Sequence, residues 1–125
     1  MTPRQQRGRN AQARGISAEA TAQAALERDG WQILARRLRT GAGEIDLLAQ
    51  RDGLLAVVEV KARPTLVDAA TALPPRQRAR LIAAAELVLE QHPDWGIAGV
   101  RFDILLVDHA GRVRRIADAF RDGMG

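Results

Sequence analysis

Apolar and polar residues recur along this chain at two periods, and the changes of period mark its elements. From about Asn10 to Asp29 the alanine-rich stretch places Ala18, Ala22, Ala25 and Leu26 on one side of a helix, and Gly30 follows where a left-handed cap is tolerated. Trp31 to Arg39 reads as a strand whose arginines favour one side of a sheet with its charges in solvent, and Thr40-Gly41-Ala42-Gly43 makes a turn. Two further runs, Glu44 to Arg51 and Leu54 to Ala62, are separated by Asp52-Gly53, the strongest short hairpin signal. Pro74-Pro75 opens a second helix that reaches about Gln91 before Pro93, with Leu81, Ala84, Ala85, Val88 and Leu89 on its apolar side. Val100 to Val107 is a buried-type strand and Val113 to Phe120 is expected to be another. Helix, three strands, helix and one or two strands suit a mixed sheet with helices packed against it.

The Asp52-Gly53 turn also sets a register. If Arg51 pairs with Leu54, Asp46 falls directly opposite Glu59 and Glu44 directly opposite Lys61. Alternation then predicts one wholly apolar face of Ile45, Leu47, Ala49, Leu54, Ala56, Val58 and Val60. The other face carries Leu48, Leu55 and Val57 near the turn and gathers Asp46, Glu59, Glu44 and Lys61 at its open end.

Composition sharpens the interest of that end. Lys61 is the single lysine of 125 residues; the other eighteen cationic side chains are arginines. Ammonium and guanidinium are not interchangeable as point donors, so the retained lysine marks a position where an ammonium is needed. The length fits one domain. The 19 basic and 15 acidic side chains give +4. Arg4, Arg7, Arg9 and Arg14 meet no acid before Glu19, so a short N-terminal arm accounts for that excess. Such an arm favours a polyanion such as nucleic acid, and it equally suits a solubilising tail. Without cysteine there is no disulfide, zinc-thiolate site or thiol nucleophile. No apolar run is long enough to span a membrane or serve as a signal peptide, and a cytoplasmic protein is expected.

Two carboxylates about 5 Å apart across a strand pair repel by roughly 3 kcal/mol at an effective dielectric of 20. Protonation of one acid, an ion pair with Lys61 or a bound divalent cation would relieve that repulsion. The first two leave an ordinary cross-strand ionic cluster. The third assigns Asp46 and Glu59 to magnesium, which one or two carboxylates hold together with waters and phosphate oxygens. The metal would activate a water and polarise a phosphodiester, and Lys61 would orient the water or stabilise charge developing on the phosphate.

Other candidates carry two readings each. Glu19 shares the helix face of Ala22 and Leu26, where a carboxylate either joins the site or reaches solvent from its boundary. Arg76, Gln77 and Arg80 stand near the start of the second helix, where cations gain nothing from the helix dipole; they contact phosphate or form a solvated basic face. Trp31 and Trp95 are expected to pack in the core or the hairpin. Asp103 belongs either to the polar end of the sheet or to a partner such as Arg101. His92, next to Pro93, is expected to cap a helix end.

Taken together, Gly15 with Glu19, Gly43-Glu44-Ile45-Asp46-Leu47-Leu48-Ala49, Val58-Glu59-Val60-Lys61 with Arg63, Arg76, and Arg101-Phe102-Asp103 resemble the PD-(D/E)XK nuclease superfamily. Within it they resemble the YraN-like family of small bacterial proteins, over about residues 15 to 107. The resemblance implies an α/β, three-layer, restriction-endonuclease-like core, with a mixed sheet of four or five strands flanked by helices. With the charge distribution above, the expected organisation is a basic, flexible arm over residues 1–14 and a single nuclease-like domain over 15–125. The resemblance also implies Asp46, Glu59 and Lys61 as the catalytic trio, Glu19 as an accompanying helical acid, and Mg²⁺ or Mn²⁺ held by Asp46 and Glu59. Arg76, Gln77, Arg63 and Arg39 are the expected nucleic-acid contacts. The implied activity is endonucleolytic cleavage of DNA, branched or damaged, with a homodimer as one possible assembly. A non-catalytic DNA-binding or adaptor protein with a vestigial site is the alternative, and RNA processing is a third reading. Three departures from the family pattern stand out: Arg37 replaces an Asn common just before the second strand, Arg76 opens the second helix where Lys is usual, and Pro64-Thr65-Leu66-Val67 replaces an aromatic-Gly element.

Overall fold

The computed structural model describes residues 18–66 and 73–120, with backbone alone for 118–120. The arm over 1–14 and the expected start of the first helix at Asn10 lie outside the described residues. The architecture is α/β. Helix α1 (18–28) is followed by strands β1 (Gln32–Thr40), β2 (Gly43–Arg51) and β3 (Leu54–Ala62). Helix α2 (Pro75–Gln91) then leads to β4 (Gly99–Val107) and β5 (Val113–Phe120). The five strands lie in sequence order across one mixed sheet. Only β3 and β4 run parallel, and α2 is the crossover between them.

Local chemistry explains where the elements stop. At the end of α1, Trp31 N–H donates to the Leu26 carbonyl and Gly30 N–H to that of Glu27, the paired bonds of a Schellman cap. Gly30 takes a φ of 85°, the left-handed region that a residue without Cβ adopts freely. Leu26 and Trp31 both enter the core beneath α1, which supplies the apolar contact that accompanies such a cap. Helix α2 has Pro75 in its first turn, no side-chain cap and no acid there. Its hold on the fold comes from Leu81, Ala84, Ala85 and Val88, all buried, on the stripe the spacing predicts.

The sheet separates two cores. Under α2 lie Leu48, Leu55, Val57, Phe102, Ile104 and Leu106; under α1 lie Leu47, Ala49, Ala56, Val58, Leu105 and Val107. Strands β3 and β4 are covered on both faces, which accounts for their nearly continuous apolar runs. The α1 side also holds a charged cluster. Asp103 on β4, 1% exposed, receives the guanidiniums of Arg101 at 3.1 Å and Arg115 at 2.6 Å, so it is tied to arginines and not to the acids of β2 and β3. Arg51, Arg101 and Arg115 all lie within about 5 Å of the centroid of the buried Trp31 ring. Trp95, partly buried against the α2-side core, stacks on His92, whose N–H closes α2 on the Val88 carbonyl.

The hairpin register holds from the turn to the middle of the strands and then fails. Arg51 pairs with Leu54 and Leu47 with Val58, and the ladder between β2 and β3 ends there. Asp46–Glu59 and Glu44–Lys61, expected as directly opposed pairs, lie beyond it. The expected face of Ile45 is also wrong: it packs with Leu48 and Leu55 on the α2 side, not with Leu47 and Ala49. The change of face coincides with an irregularity on β1. Arg36 pairs with Leu47 and Leu38 with Ile45, and the intervening Arg37, at a φ of 49°, leaves the ladder opposite Asp46. A left-handed residue inside a strand interrupts the two-residue alternation there.

Candidate metal and phosphodiester site

Where β2 leaves β3, the Asp46 side chain takes over part of the missing ladder. Its Oδ2 accepts the backbone N–H of Val60 at 2.8 Å. That bond brings the carboxylate into the same recess as Glu59 without direct cross-strand pairing, near enough that its charge acts on the Glu59 carboxyl. Burial, and next the Asp46 charge, push the Glu59 carboxyl from its ordinary 4.5 up to about 7; Lys61 and Gln77 pull it down by less.

Lys61 Nζ lies 3.9 Å from Glu59 Oε1, and the two side chains are only 21% and 13% exposed. Gln77, in the first turn of α2, donates its amide N–H to the same oxygen at 2.8 Å. Asp46, Glu59 and Gln77 line a recess of about 230 Å³ between the sheet and α2, together with Gly43, Glu44 and Arg80. The sequence-based trio Asp46, Glu59 and Lys61 is thus assembled, with both acids facing α2.

The remaining candidates are placed differently. Glu44 pairs with Arg37 at 4.0 Å and Arg39 at 3.9 Å. Its expected opposition to Lys61 is lost because the β2–β3 ladder has ended, while the β1–β2 ladder sets Arg39 across from Glu44. Glu19 on α1 meets Arg37 at 3.5 Å, so Arg37 spans the acids of α1 and β2, and Glu19 is not among the residues lining the recess. Arg39 and Arg76 are exposed, and Arg63 is half-buried with its guanidinium on the Ala62 carbonyl. Sequence reasoning missed the Val60 N–H as the anchor of Asp46, because backbone donors leave no trace in residue identity. It also missed Arg37 as a link between acids, and no local signal marks an arginine for a left-handed conformation.

Among the described residues no group of three or more His, Cys, Asp or Glu side chains is arranged to ligate a metal. Asp46 and Glu59 still fit a hard dication. Both acids line one recess, the charge of Asp46 acts on the Glu59 carboxyl, and magnesium needs few protein ligands when water and phosphate oxygens complete its shell.

Comparison with known proteins adds the family. The model of "Uncharacterised protein family UPF0102" matches residues 18–107. A UPF0102 protein of Granulibacter bethesdensis is 68% identical over 115 residues, covering 92% of this chain and 73% of that protein. One of Azorhizobium caulinodans is 50% identical over 119 residues, covering 95% and 91% respectively. Among solved structures, an XisH family protein from Nostoc punctiforme matches with a TM-score of 0.44 at 19% identity, over 80% of this chain and 98% of that one.

Proposed function

The chain belongs to the UPF0102 family, and from the acids assembled on its sheet we propose that it is a metal-dependent phosphodiesterase acting on nucleic acid, with branched or damaged DNA as substrate. The observation that carries this reading is the gathering of the Asp46 and Glu59 carboxyls in one recess, with the Lys61 ammonium 3.9 Å from Glu59. Asp46 and Glu59 would hold Mg²⁺ or Mn²⁺, which when bound supplies a Lewis acid and an activated water. Asp46, held by Val60 N–H, contributes a fixed ligand. Glu59 gives up the proton it holds below about pH 7 and becomes the second. Lys61 places a positive charge where a phosphate on that metal would lie, and stabilises charge developing on its oxygens. Arg80 on the α2 wall presents a further cation to the same recess.

The test is cleavage by the purified chain, with Mg²⁺ or Mn²⁺, of junction, flap, nicked and linear DNA and of matching RNA. Cutting of at least one DNA form, lost in Asp46→Ala and in Lys61→Ala, is the expected result. Protein that binds these substrates with a steep salt dependence yet leaves all of them intact would overturn the reading in favour of a binding or adaptor protein.

A further inference from the structure

Each acid of the pair is fastened to the protein through one of its two oxygens. Asp46 is held at Oδ2 by the Val60 N–H, and Glu59 at Oε1 by the Gln77 amide and by Lys61. The two anchors differ in kind. Val60 is backbone within the sheet, whereas Gln77 is a side chain from α2, the element across the recess. A glutamate has three rotatable side-chain bonds, and Gln77 is an uncharged side-chain donor that holds its end.

We propose that Gln77 is the positioning residue of the site: its amide turns Glu59 so that Oε1 faces the helix and the other oxygen is presented to Asp46 and to the cation they share. This rests on the metal reading above. The residue type suits the task. A neutral amide donates a hydrogen bond without cancelling the negative charge that attracts a dication, as an arginine or lysine at this place would. Asparagine, one methylene shorter, falls short of the 2.8 Å contact. Arg80 lies one helical turn further along α2 and lines the same recess, so the bond also sets Glu59 relative to the wall a phosphate would meet.

Gln77→Met keeps the length and apolar stem of the side chain and removes only the donor. In the full-length chain at pH 8, Mn²⁺ binding followed by the loss of the free-ion electron paramagnetic resonance signal is expected to weaken about tenfold in Gln77→Met. The thermal midpoint without metal is expected to fall only by what one partly buried hydrogen bond contributes, so the variant is folded where its metal affinity is read. Asp46→Asn is expected to abolish binding. Wild-type Mn²⁺ affinity in Gln77→Met would overturn the positioning role while leaving the metal site standing. If the wild type itself binds no Mn²⁺, the metal reading fails separately, and the Glu59 ¹³Cδ resonance of the metal-free chain decides the role of Gln77. A shifted or broadened resonance in Gln77→Met supports it, and an unchanged one overturns it.

Discussion

Asp46 and Val60 are joined by a 2.8 Å bond from backbone N–H to carboxylate at the point where the strand ladder between β2 and β3 ends. One polar side chain thereby satisfies a donor that the departing strand leaves behind and fixes an acid beside Glu59. Failed pairing and functional geometry are the same feature: had β2 continued in register, Val60 N–H would not have been available to hold Asp46.

The raised Glu59 carboxyl makes stability depend on pH. Glu59 titrates near 7 in the folded chain against an ordinary 4.5, so between those values the folded state holds a proton that the unfolded state has released. Its favourable contribution is full below about pH 4.5 and is lost as pH rises through 7. Glu59→Gln removes the buried charge, and with allowance for solvent screening it should be about 1–3 kcal/mol more stable than wild type at pH 8. That gap should close at pH 5. Urea unfolding at both pH values measures it, and an equal gap at the two would contradict the assignment.

Arg37 is strained for an L-residue with a long side chain. A left-handed conformation costs roughly 1–2 kcal/mol, and asparagine tolerates it better because its short amide bonds locally. The ion pairs from Arg37 to Glu19 and Glu44 are long, and its side chain is largely exposed, so they offset little of that cost. Arg37→Asn should raise the stability by about 0.5–1 kcal/mol in urea unfolding. A lower midpoint than wild type would show that the ion pairs outweigh the strain.

This residue also explains what the sequence disclosed and what it concealed. Asp52-Gly53 announced the hairpin, and the register from Arg51–Leu54 to Leu47–Val58 followed from it, with Asp52 and Gly53 both at positive φ. The α2 stripe, the β1 edge strand and the gathering of Asp46, Glu59 and Lys61 were legible from spacing and residue type. The side on which Ile45 packs and the partner of Glu44 were not. Both lie beside the left-handed Arg37, and an arginine carries no propensity for that conformation. Gln77 was visible as a polar residue at a helix start, but its contact with Glu59 depends on how α2 docks on the sheet, a tertiary fact beyond local pattern.

The Asp103 cluster is expected to serve the fold alone. Replacing this buried carboxylate by Asn leaves two guanidiniums facing a neutral amide, and the loss should be about 3 kcal/mol in urea unfolding. Mn²⁺ affinity of the folded variant should match wild type, because Asp103 is bound to Arg101 and Arg115 on the α1 side of the sheet while the recess opens towards α2. Weakened metal binding in folded Asp103→Asn would contradict the separation of the two clusters.

The central claim is that Asp46 and Glu59 share one place that holds a proton at rest and a divalent cation in use. Proton release on metal binding tests it most directly, measured by titration calorimetry of Mg²⁺ or Mn²⁺ into the full-length chain in buffers of different ionisation enthalpy. At pH 6, below the value of about 7 for Glu59, binding should release about one proton per chain; at pH 9 it should release none, and Glu59→Gln should release none at either pH. Metal binding at pH 6 with no proton released, or undiminished binding in Asp46→Asn, would contradict it.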